Sequence, residues 1–525
     1  MLLMRDMIDR CATNFPTRTA YICGARRATW ARMGDRSDRL GAALQSLGAS
    51  AGTPVAILSL ESIEVYEHFF ACAKIGAIRI GLNPQYAWPE LWHVIRDSAA
   101  RILLVDARCL PLIEEHKPEL AGQGITLIGY NGDHGLPLDY ETLIAGAAAH
   151  AGRPPLEGDN LLLYSYTSGT TGSPKGVMLT QGSVASVIVH SVMSFGLARD
   201  DIWYMPAASA WAIVIMSLFG LGTGMTTVLP DGGFNVARFL DEVERLKVSA
   251  AILVPTMIQR VLAEQRRQPR DIASLRLLVY GSAPATPHLI RETRAELGVL
   301  MVQAYGQTES TGGWMAVLTD DDHRIGLESR PELLRSAGRI GVHYECTIRD
   351  EAGAILPPGE RGEIWLRGTS LMKGYLNLPE ETAEALQDGW LRSNDIGMMD
   401  ADGYLYLLDR QKFMIITGAV NVFPAAVESV LADHPVIAEV AAVGVPHPEW
   451  GEAVIAVAVA RQPDQQIGVP ELKAFCKGRL SPPETPKHIL FVDELPKTVN
   501  GKVRKADIKA WAETQAERMP WAAAG

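Results

Sequence analysis

A segment rich in glycine and hydroxyl side chains is the first candidate for chemistry in this sequence. Residues 166–177 read YTSGTTGSPKGV and follow the apolar run 161–163. Glycines let backbone N–H groups approach an anion closely, and Lys175 adds a positive charge. The spacing differs from the nucleotide-hydrolase pattern G-x-x-x-x-G-K-[ST], because a proline precedes the lysine and a glycine follows it. The segment therefore predicts a phosphate-binding loop of another kind.

Further along the chain, other segments carry groups that chemistry on a phosphate needs. AYGQTES at 304–310 places an aromatic ring, a glycine, a hydroxyl and a carboxylate close together. WLRSNDIG at 390–397 and LLDRQK at 407–412 supply aspartates and an arginine. LPKTVNGKVRK at 495–505 has a lysine after a turn near the C-terminus. Each segment alone is a weak indication of function, whereas their combined order and spacing are highly specific.

Together these segments resemble the adenylate-forming superfamily of acyl-CoA synthetases, carrier-protein adenylation domains and firefly-type luciferases. The resemblance extends from about residue 10 to about residue 512. It implies a ligase that activates a carboxylic acid with ATP, releases pyrophosphate and passes the acyl group to an acceptor. It also implies that ATP and Mg²⁺ take part in the reaction.

The resemblance implies roles for the residues around the phosphates. The loop and Lys175 would close over the β- and γ-phosphates of ATP, and Thr308 would contact the α-phosphate. Glu309 would hold Mg²⁺, a hard cation that suits a carboxylate and phosphate oxygens. Lys502 matches the catalytic lysine, whose ammonium would stabilise the charge that builds as the carboxylate attacks the α-phosphorus. Its loss is expected to lower the adenylation rate by about 10²–10³.

The resemblance also implies which residues bind the adenosine half of ATP. Tyr305 would stack on the adenine, Asp395 would accept both ribose hydroxyls, and Arg410 would donate to the ribose. The whole ATP-binding set comprises Thr167, Ser168, Gly169, Thr170, Thr171, Gly172, Gly281, Ser282, Ala283, Pro284, Tyr305, Asp395 and Arg410.

Asp409 matches the hinge between a large N-terminal domain, residues 1–409, and a small mobile C-terminal domain, residues 410–525. One orientation of the small domain would bring Lys502 to the site for adenylation. Rotation would then present another face for the second half-reaction, and such closures often gate turnover.

The acceptor stays open because the sequence departs from acyl-CoA synthetases on the side that receives the thiol. KFMIITGAVNVFP at 412–424 has Phe413 and Ala419 where the family has Asp and Gly, and PAAS stands at 206–209 for PxFH. A Cβ at 419 narrows a place where backbone approaches a ligand. Transfer to CoA is one prediction. The alternative is a non-CoA acceptor, as in an amide synthetase, carrier-protein loading, or nitrite-dependent diazotisation of an aromatic amine.

The predicted acyl pocket is apolar and partly aromatic, with few charges. The resemblance implies that this pocket comprises Ser209, Trp211, Gly306, Thr311 and Gly313. A medium-sized aryl or cyclic carboxylic acid fits this composition better than acetate or a long chain.

Two classes of protein other than a ligase are considered. A degenerate adenylate-binding sensor is disfavoured because the ATP and lysine positions are all kept, and a luciferase-type oxygenase would show itself by light or CO₂.

The elements that must position these residues alternate between strand and helix. PVAILSL (54–60) and IRIGLNP (78–84) predict buried strands, separated by apolar residues at helical spacing in 63–77. The alternation returns around 250–256 and 275–284. With the resemblance, it predicts an α/β fold whose large domain has two doubly wound αβαβα-type subdomains.

After residue 340 the pattern changes to short strands and turns, which predicts a β-barrel-like subdomain over 338–368. The tail from about 411 predicts a small α+β domain with strands at 439–446 and 453–460.

Composition narrows the partners. The chain has 525 residues and a net charge of -11, which argues against nucleic acid as a partner. Its six cysteines form no C-x-x-C pair, so reduced thiols in the cytoplasm are expected. The apolar stretch 207–224 falls short of the ~20 residues of a membrane span and predicts a buried helix. The resemblance is also compatible with a homodimer.

Overall fold

The structure is a computed structural model. It describes residues 3–167, 174–206, 210, 212–283, 285–410, 413–417, 420–462, 465–497, 503–515 and 519, with only the backbone for Asp409, Arg410 and Asn421. Three β-sheets and their covering helices form a large N-terminal domain and a smaller C-terminal domain, so the α/β prediction is confirmed.

The first sheet carries the predicted phosphate loop at one side. Its six neighbouring strands from 161–167 to 138–139 run parallel, and the last two strands of the order are antiparallel. The central strands are apolar and buried on both faces, as a parallel sheet between helical layers requires. In spatial order the strands are Leu138–Asp139, Thr126–Tyr130, Ile102–Asp106, Pro54–Leu58, Ile78–Leu82, Leu161–Thr167, Lys175–Thr180 and Gly374–Tyr375.

The second sheet begins with an antiparallel ribbon, continues as six parallel strands and ends in an antiparallel region. The strands predicted as a barrel-like subdomain continue this sheet through Trp314–Leu318 and Gly338–Ile340. In spatial order the strands are Arg26–Thr29, Thr19–Cys23, Thr226–Leu229, Ile202–Tyr204, Ala250–Leu253, Leu277–Gly281, Leu300–Gly306, Trp314–Leu318, Gly338–Ile340, Tyr404–Arg410, Trp390–Met399, Gly362–Gly368 and Tyr344–Arg349, with Leu386–Gln387 paired to Trp390–Met399.

The third sheet builds the C-terminal domain around the long hairpin of Ile437–His447 and Gly451–Ala460. Strands Ile415–Thr417 and Val420–Val422 lie at one edge, and His488–Phe491 pairs in parallel with the second hairpin strand. The strands predicted at 439–446 and 453–460 are thus confirmed.

Helices cover the sheets in layers. One core cluster joins both large sheets to the helices between them, and two other clusters lie on their outer faces, which is the αβαβα order. The α-helices are Met4–Asn14, Trp30–Ser46, Ile63–Ile75, Trp88–Asp97, Lys117–Gly122, Tyr140–Gly146, Gln181–Ser194, Gly220–Thr223, Val236–Leu246, Pro255–Arg267, Pro287–Leu297, Asp320–Glu328, Pro379–Ala385, Pro424–Leu431, Val469–Cys476 and Lys505–Thr514. The 3₁₀ helices are Ala107–Leu112, Glu114–His116, Ala212–Leu218, Thr308–Ser310 and Pro331–Arg335.

The apolar stretch 207–224 differs in part from its prediction as one buried helix. Its described residues form the 3₁₀ helix Ala212–Leu218 and a single α-helical turn, Gly220–Thr223. Gly224 then ends the turn at φ +86°, a left-handed conformation that suits glycine. Among the described residues, no helix has the length and apolar character to span a membrane. All six cysteines are free thiols, five of them buried.

Candidate active site

The predicted phosphate loop connects two antiparallel strands of the first sheet. Strand Leu161–Thr167 pairs with Lys175–Thr180, and the register places Thr167 opposite Lys175 at the mouth of the loop. The loop residues predicted to bind phosphate lie outside the described residues; they are Ser168, Gly169, Thr170, Thr171 and Gly172.

The helix Trp88–Asp97 supports this hairpin from outside. The Nε2 atom of His93 lies 2.9 Å from the carbonyl oxygen of Pro174, at hydrogen-bond distance. The hydroxyl of Tyr166 donates to Oδ2 of Asp97 at 2.8 Å. Neither contact was predicted, because nothing in the local sequence around His93 or Asp97 signals a neighbour so far along the chain.

Lys175 and Glu309 both contact the side chain of Tyr375. The Nζ atom of Lys175 lies 5.6 Å from the centre of the Tyr375 ring, within the range of a cation–π interaction. The Tyr375 hydroxyl donates to Oε1 of Glu309 at 2.9 Å. A cation and a carboxylate that the sequence separates widely are therefore brought to one place.

Residues 372–376 form a connecting segment between the two large sheets at this site. The N–H groups of Lys373 and Leu376 donate to the carbonyls of Met178 and Gly176 in the hairpin, each at 2.8 Å. The N–H of Met372 donates to the carbonyl of Glu309 at 2.8 Å. The connecting segment thus fixes Glu309 relative to the phosphate-loop hairpin.

The segment 304–310 begins in the last residues of strand Leu300–Gly306 and continues beyond its end. Thr308 begins the short 3₁₀ helix Thr308–Ser310, and Thr311 follows at φ +62°. The hydroxyl of Thr311 is fully buried and donates to the carbonyl of Ser370 at 2.7 Å. This hydroxyl of the predicted acyl pocket is therefore engaged by the protein backbone.

On the predicted adenosine side, the hydroxyl of Tyr305 donates a hydrogen bond to Oδ2 of Asp395. Asp395 is buried and lies opposite Arg410 in the antiparallel register of their strands. Asn394 has φ +57°. Asparagine tolerates that left-handed conformation better than most residues do.

Three predicted glycines lie where backbones approach closely. A Cβ at Gly281 would come 2.5 Å from the carbonyl oxygen of Ala304 on the neighbouring strand. A Cβ at Gly306 would overlap the carbonyl oxygen of Gly313. The predicted pocket residues Gly306 and Gly313 therefore face each other, and close packing alone already requires glycine at Gly306.

The remaining predicted site residues either follow strand Leu277–Gly281 or lie outside the described residues. Ser282 is exposed with φ +66°, and Ala283 is half-buried. Pro284, Ser209 and Trp211 lie outside the described residues. The buried Trp314, which the sequence reasoning missed, lies 3.4 Å from the position of a Cβ on Gly281.

Lys502 also lies outside the described residues. An antiparallel bridge pairs Lys497 with Val503, the described residues that flank it in the sequence. Helix Lys505–Thr514 follows, and Lys505 pairs with Glu428 at 3.0 Å while its Nζ lies 5.9 Å from the centre of the Phe413 ring. Phe413, one of the departures from the family pattern, therefore contacts the cationic segment just after Lys502.

The described residues contain no cluster of three or more His, Cys, Asp or Glu side chains that could hold a metal by themselves. Mg²⁺ commonly binds through one or two carboxylates together with phosphate oxygens of a substrate. The half-buried carboxylate of Glu309, close to the phosphate-loop lysine through Tyr375, fits that mode.

Comparison with known proteins identifies the family. The family model for the AMP-binding enzyme matches residues 8–376, and that for the AMP-binding enzyme C-terminal domain matches residues 426–502. The chain belongs to this AMP-binding family of the adenylate-forming superfamily. It is an AMP-forming ligase.

Individual relatives cover nearly the whole chain. The indoleacetate–CoA ligase of Aromatoleum aromaticum is 34% identical over 509 residues, which span 96% of this chain and 97% of the relative. The structure of the anthranilate CoA ligase AuaEII in complex with anthranoyl-AMP has a TM-score of 0.88 at 26% identity, covering 98% of both chains. The amide bond synthetase McbA from Marinactinospora thermotolerans has a TM-score of 0.85 at 28% identity, covering 97% of this chain and 99% of that one.

Proposed function

We propose that this enzyme adenylates a medium-sized aryl or cyclic carboxylic acid, releases pyrophosphate and transfers the acyl group to CoA. The observation that carries the proposal is the joint contact of Lys175 and Glu309 with Tyr375 at the mouth of the glycine-rich loop. A cation for phosphate oxygens and a carboxylate for a metal ion are the two groups that ATP activation needs side by side.

In this proposal each residue around the phosphates has one task. Lys175 and the loop from Thr167 bind the β- and γ-phosphates, and Thr308 orients the α-phosphate. Glu309 holds Mg²⁺, which when bound offsets the phosphate charge that repels the attacking carboxylate. Lys502 stabilises the charge on the transferring group.

The adenosine would be held on the other side of the site. Tyr305 stacks on the adenine and Asp395 accepts the ribose hydroxyls, assisted by Arg410. The contact between Tyr305 and Asp395 supports this assignment, because base and ribose are adjacent parts of one ligand.

The proposed hinge at Asp409 separates residues 1–409 from 410–525. The C-terminal sheet has its own apolar clusters, which supports a domain able to move as a unit. An exposed ion pair between Arg335 and Asp433, 2.9 Å long, links the two domains in the described orientation. Surface pairs of this kind contribute at most about 1 kcal/mol and do not lock an orientation.

The aryl acid is proposed from two observations. The predicted pocket residues that the structure describes are all uncharged; they are Gly306, Thr311 and Gly313. The neighbouring Trp314 is buried and adds apolar surface. The names of two relatives, for indoleacetate and for anthranilate, refer to aromatic acids.

A second candidate is amide formation, with an amine in place of CoA. The fold similarity to an amide bond synthetase and the replacements at Phe413 and Ala419 favour it. Carrier-protein loading and nitrite-dependent diazotisation are further acceptor classes that the same test covers.

The test is mass spectrometry of the products formed from ATP, Mg²⁺ and a panel of aryl, cyclic and long-chain acids. Each acid is supplied alone, with CoA, with a carrier protein and with an amine, and nitrite is supplied together with an aromatic amine. A thioester that forms only with CoA supports the proposal. An acyl-adenylate that ignores CoA and yields an amide supports the second candidate, and an enzyme that releases no pyrophosphate with any acid contradicts both.

A further inference from the structure

We propose that Tyr375 is a positioning residue that holds the metal-binding carboxylate and the phosphate-binding lysine in their working geometry. The inference rests on the proposed function of Glu309 and Lys175. It concerns a residue that lies in none of the segments from which the site was predicted.

The two parts of the tyrosine side chain serve different groups. Its hydroxyl donates to Oε1 of Glu309 at 2.9 Å, which restricts rotation of the carboxylate. Its ring face lies 5.6 Å from Nζ of Lys175 and attracts the ammonium. One residue can therefore orient both an anion and a cation, and a single substitution can remove one of these contacts without the other.

Tyr375 also keeps the two charged groups from neutralising each other. Among the ion pairs of the described residues, none joins Lys175 to Glu309. A direct pair would occupy the oxygens that a metal ion needs and the ammonium that the phosphates need. Because Tyr375 is neutral, its contacts leave the negative charge of Glu309 for a metal ion and the positive charge of Lys175 for the phosphates.

The tyrosine itself is held firmly by the backbone around it. Its N–H donates to the hydroxyl of Thr382 at 2.8 Å, and strand Gly374–Tyr375 pairs with Val177 and Met178 beside the phosphate loop. Gly374 has φ +142°, and a Cβ there would lie 2.6 Å from Cγ2 of Thr382. These contacts hold the backbone of Tyr375 in place beside the phosphate-loop hairpin.

Two variants separate the two contacts. Tyr375→Phe removes the hydroxyl but keeps the ring for Lys175, whereas Tyr375→Leu removes both. Tyr404→Phe is the matched control, because it also removes a hydroxyl bonded to a buried carboxylate, that of Asp322 at 2.6 Å. Thermal unfolding of each variant checks that the chain folds.

The measurement is calorimetric binding of α,β-methylene-ATP, whose α–β bond the enzyme cannot cleave, in Mg²⁺ and in EDTA. We expect Tyr375→Phe to weaken binding about tenfold in Mg²⁺ and less than about twofold in EDTA. Tyr375→Leu is expected to weaken binding in both conditions, and Tyr404→Phe in neither.

Equal affinities of wild type and Tyr375→Phe in Mg²⁺ would overturn the proposal, as would an equal loss in Mg²⁺ and EDTA. A merely structural role predicts the second of these outcomes, because a disturbed site loses nucleotide with or without metal. If the wild-type protein binds no nucleotide, the proposed function itself fails and the role of Tyr375 fails with it.

Discussion

The hydroxyl of Tyr305 donates a hydrogen bond to Oδ2 of Asp395, two side chains to which the sequence assigns different parts of one nucleotide. Tyr305 is the last residue but one of strand Leu300–Gly306, which pairs with Trp314–Leu318, and Asp395 lies in the strand that pairs with Tyr404–Arg410. Their contact therefore joins two parts of the second sheet at the proposed adenosine site. An aromatic face and a carboxylate oxygen are presented together there.

Removing this hydroxyl should impair nucleotide binding more than chemistry. In Tyr305→Phe the ring remains for stacking, but Asp395 loses a hydrogen bond that orients it toward the ribose. A bond of this type contributes about 1 kcal/mol or more, so we expect the KM for ATP to rise about fivefold or more with little change in kcat. Steady-state pyrophosphate release measures both constants. An unchanged KM would show that the bond does not position Asp395.

Lys502→Ala should separate the two half-reactions. We expect adenylation to slow by about 10²–10³, because the charge on the transferring group loses its ammonium. Transfer from a chemically prepared acyl-adenylate to CoA should proceed at close to the wild-type rate, since the hinge proposal places another face of the domain at the site. Lys505→Ala, which removes a nearby cation paired with Glu428, is the control. Equal losses in both half-reactions would contradict the hinge proposal.

Gly306→Ala should destabilise the protein and disturb the acyl pocket. The added Cβ would overlap the carbonyl oxygen of Gly313, a backbone atom that cannot rotate away as the end of a flexible side chain can. Overpacking of this kind costs about 1–3 kcal/mol of unfolding free energy. Gly146→Ala is the control, because a Cβ there meets no atom within 4 Å and its helix favours alanine. Urea titration should show a lower midpoint for Gly306→Ala only.

Acid should destabilise the fold through His323. Burial lowers the pKa of His323 from 6.5 to about 4, and its ring nitrogens contact the Tyr280 hydroxyl at 2.8 Å and the Thr319 carbonyl at 2.7 Å. As the pH falls below 6.5, the unfolded chain takes up a proton here while the folded chain does not, so stability falls until the pH reaches about 4.

The size of this effect follows from the linkage relation. Between pH 7 and pH 5 the contribution of His323 amounts to about 2 kcal/mol. We expect His323→Gln to lose less unfolding free energy than wild type over this range, by about that amount, in urea titrations at the two pH values. If the wild type and His323→Gln lost the same unfolding free energy between pH 7 and pH 5, His323 would take up its proton in the folded protein as it does in the unfolded chain.

The sequence predicted the parts of the site that local segments carry. Thr167, Lys175 and Glu309 belong to such segments, and the structure describes them around one loop mouth. Tyr375 could not be predicted in the same way, because a tyrosine after a glycine is not a motif that indicates any function. Its position depends on the pairing of Gly374–Tyr375 with a strand that lies almost two hundred positions earlier in the chain.

The layered α/β order could be predicted because short apolar runs, typical of buried parallel strands, alternate along the chain with apolar residues at helical spacing. The stretch 207–224 was harder, since its apolar residues are equally compatible with a long helix and with short turns. The structure has short turns there, because Gly220 begins and Gly224 ends an α-helical part of only one turn. Glycine conformations of this kind depend on surroundings that the sequence does not display.

The connecting segment 372–376 has a consequence for how the protein comes apart. The segment is hydrogen-bonded to the hairpin of the first sheet and to Glu309 beside the second, so a nucleotide held there would add a further link between two sheets that already share one core cluster. A ligand that binds only the folded form raises the unfolding free energy by RT ln(1 + [L]/Kd). Nucleotide should therefore raise the melting temperature of the two large sheets together, while the melting of the C-terminal domain, which has its own apolar clusters, shifts less.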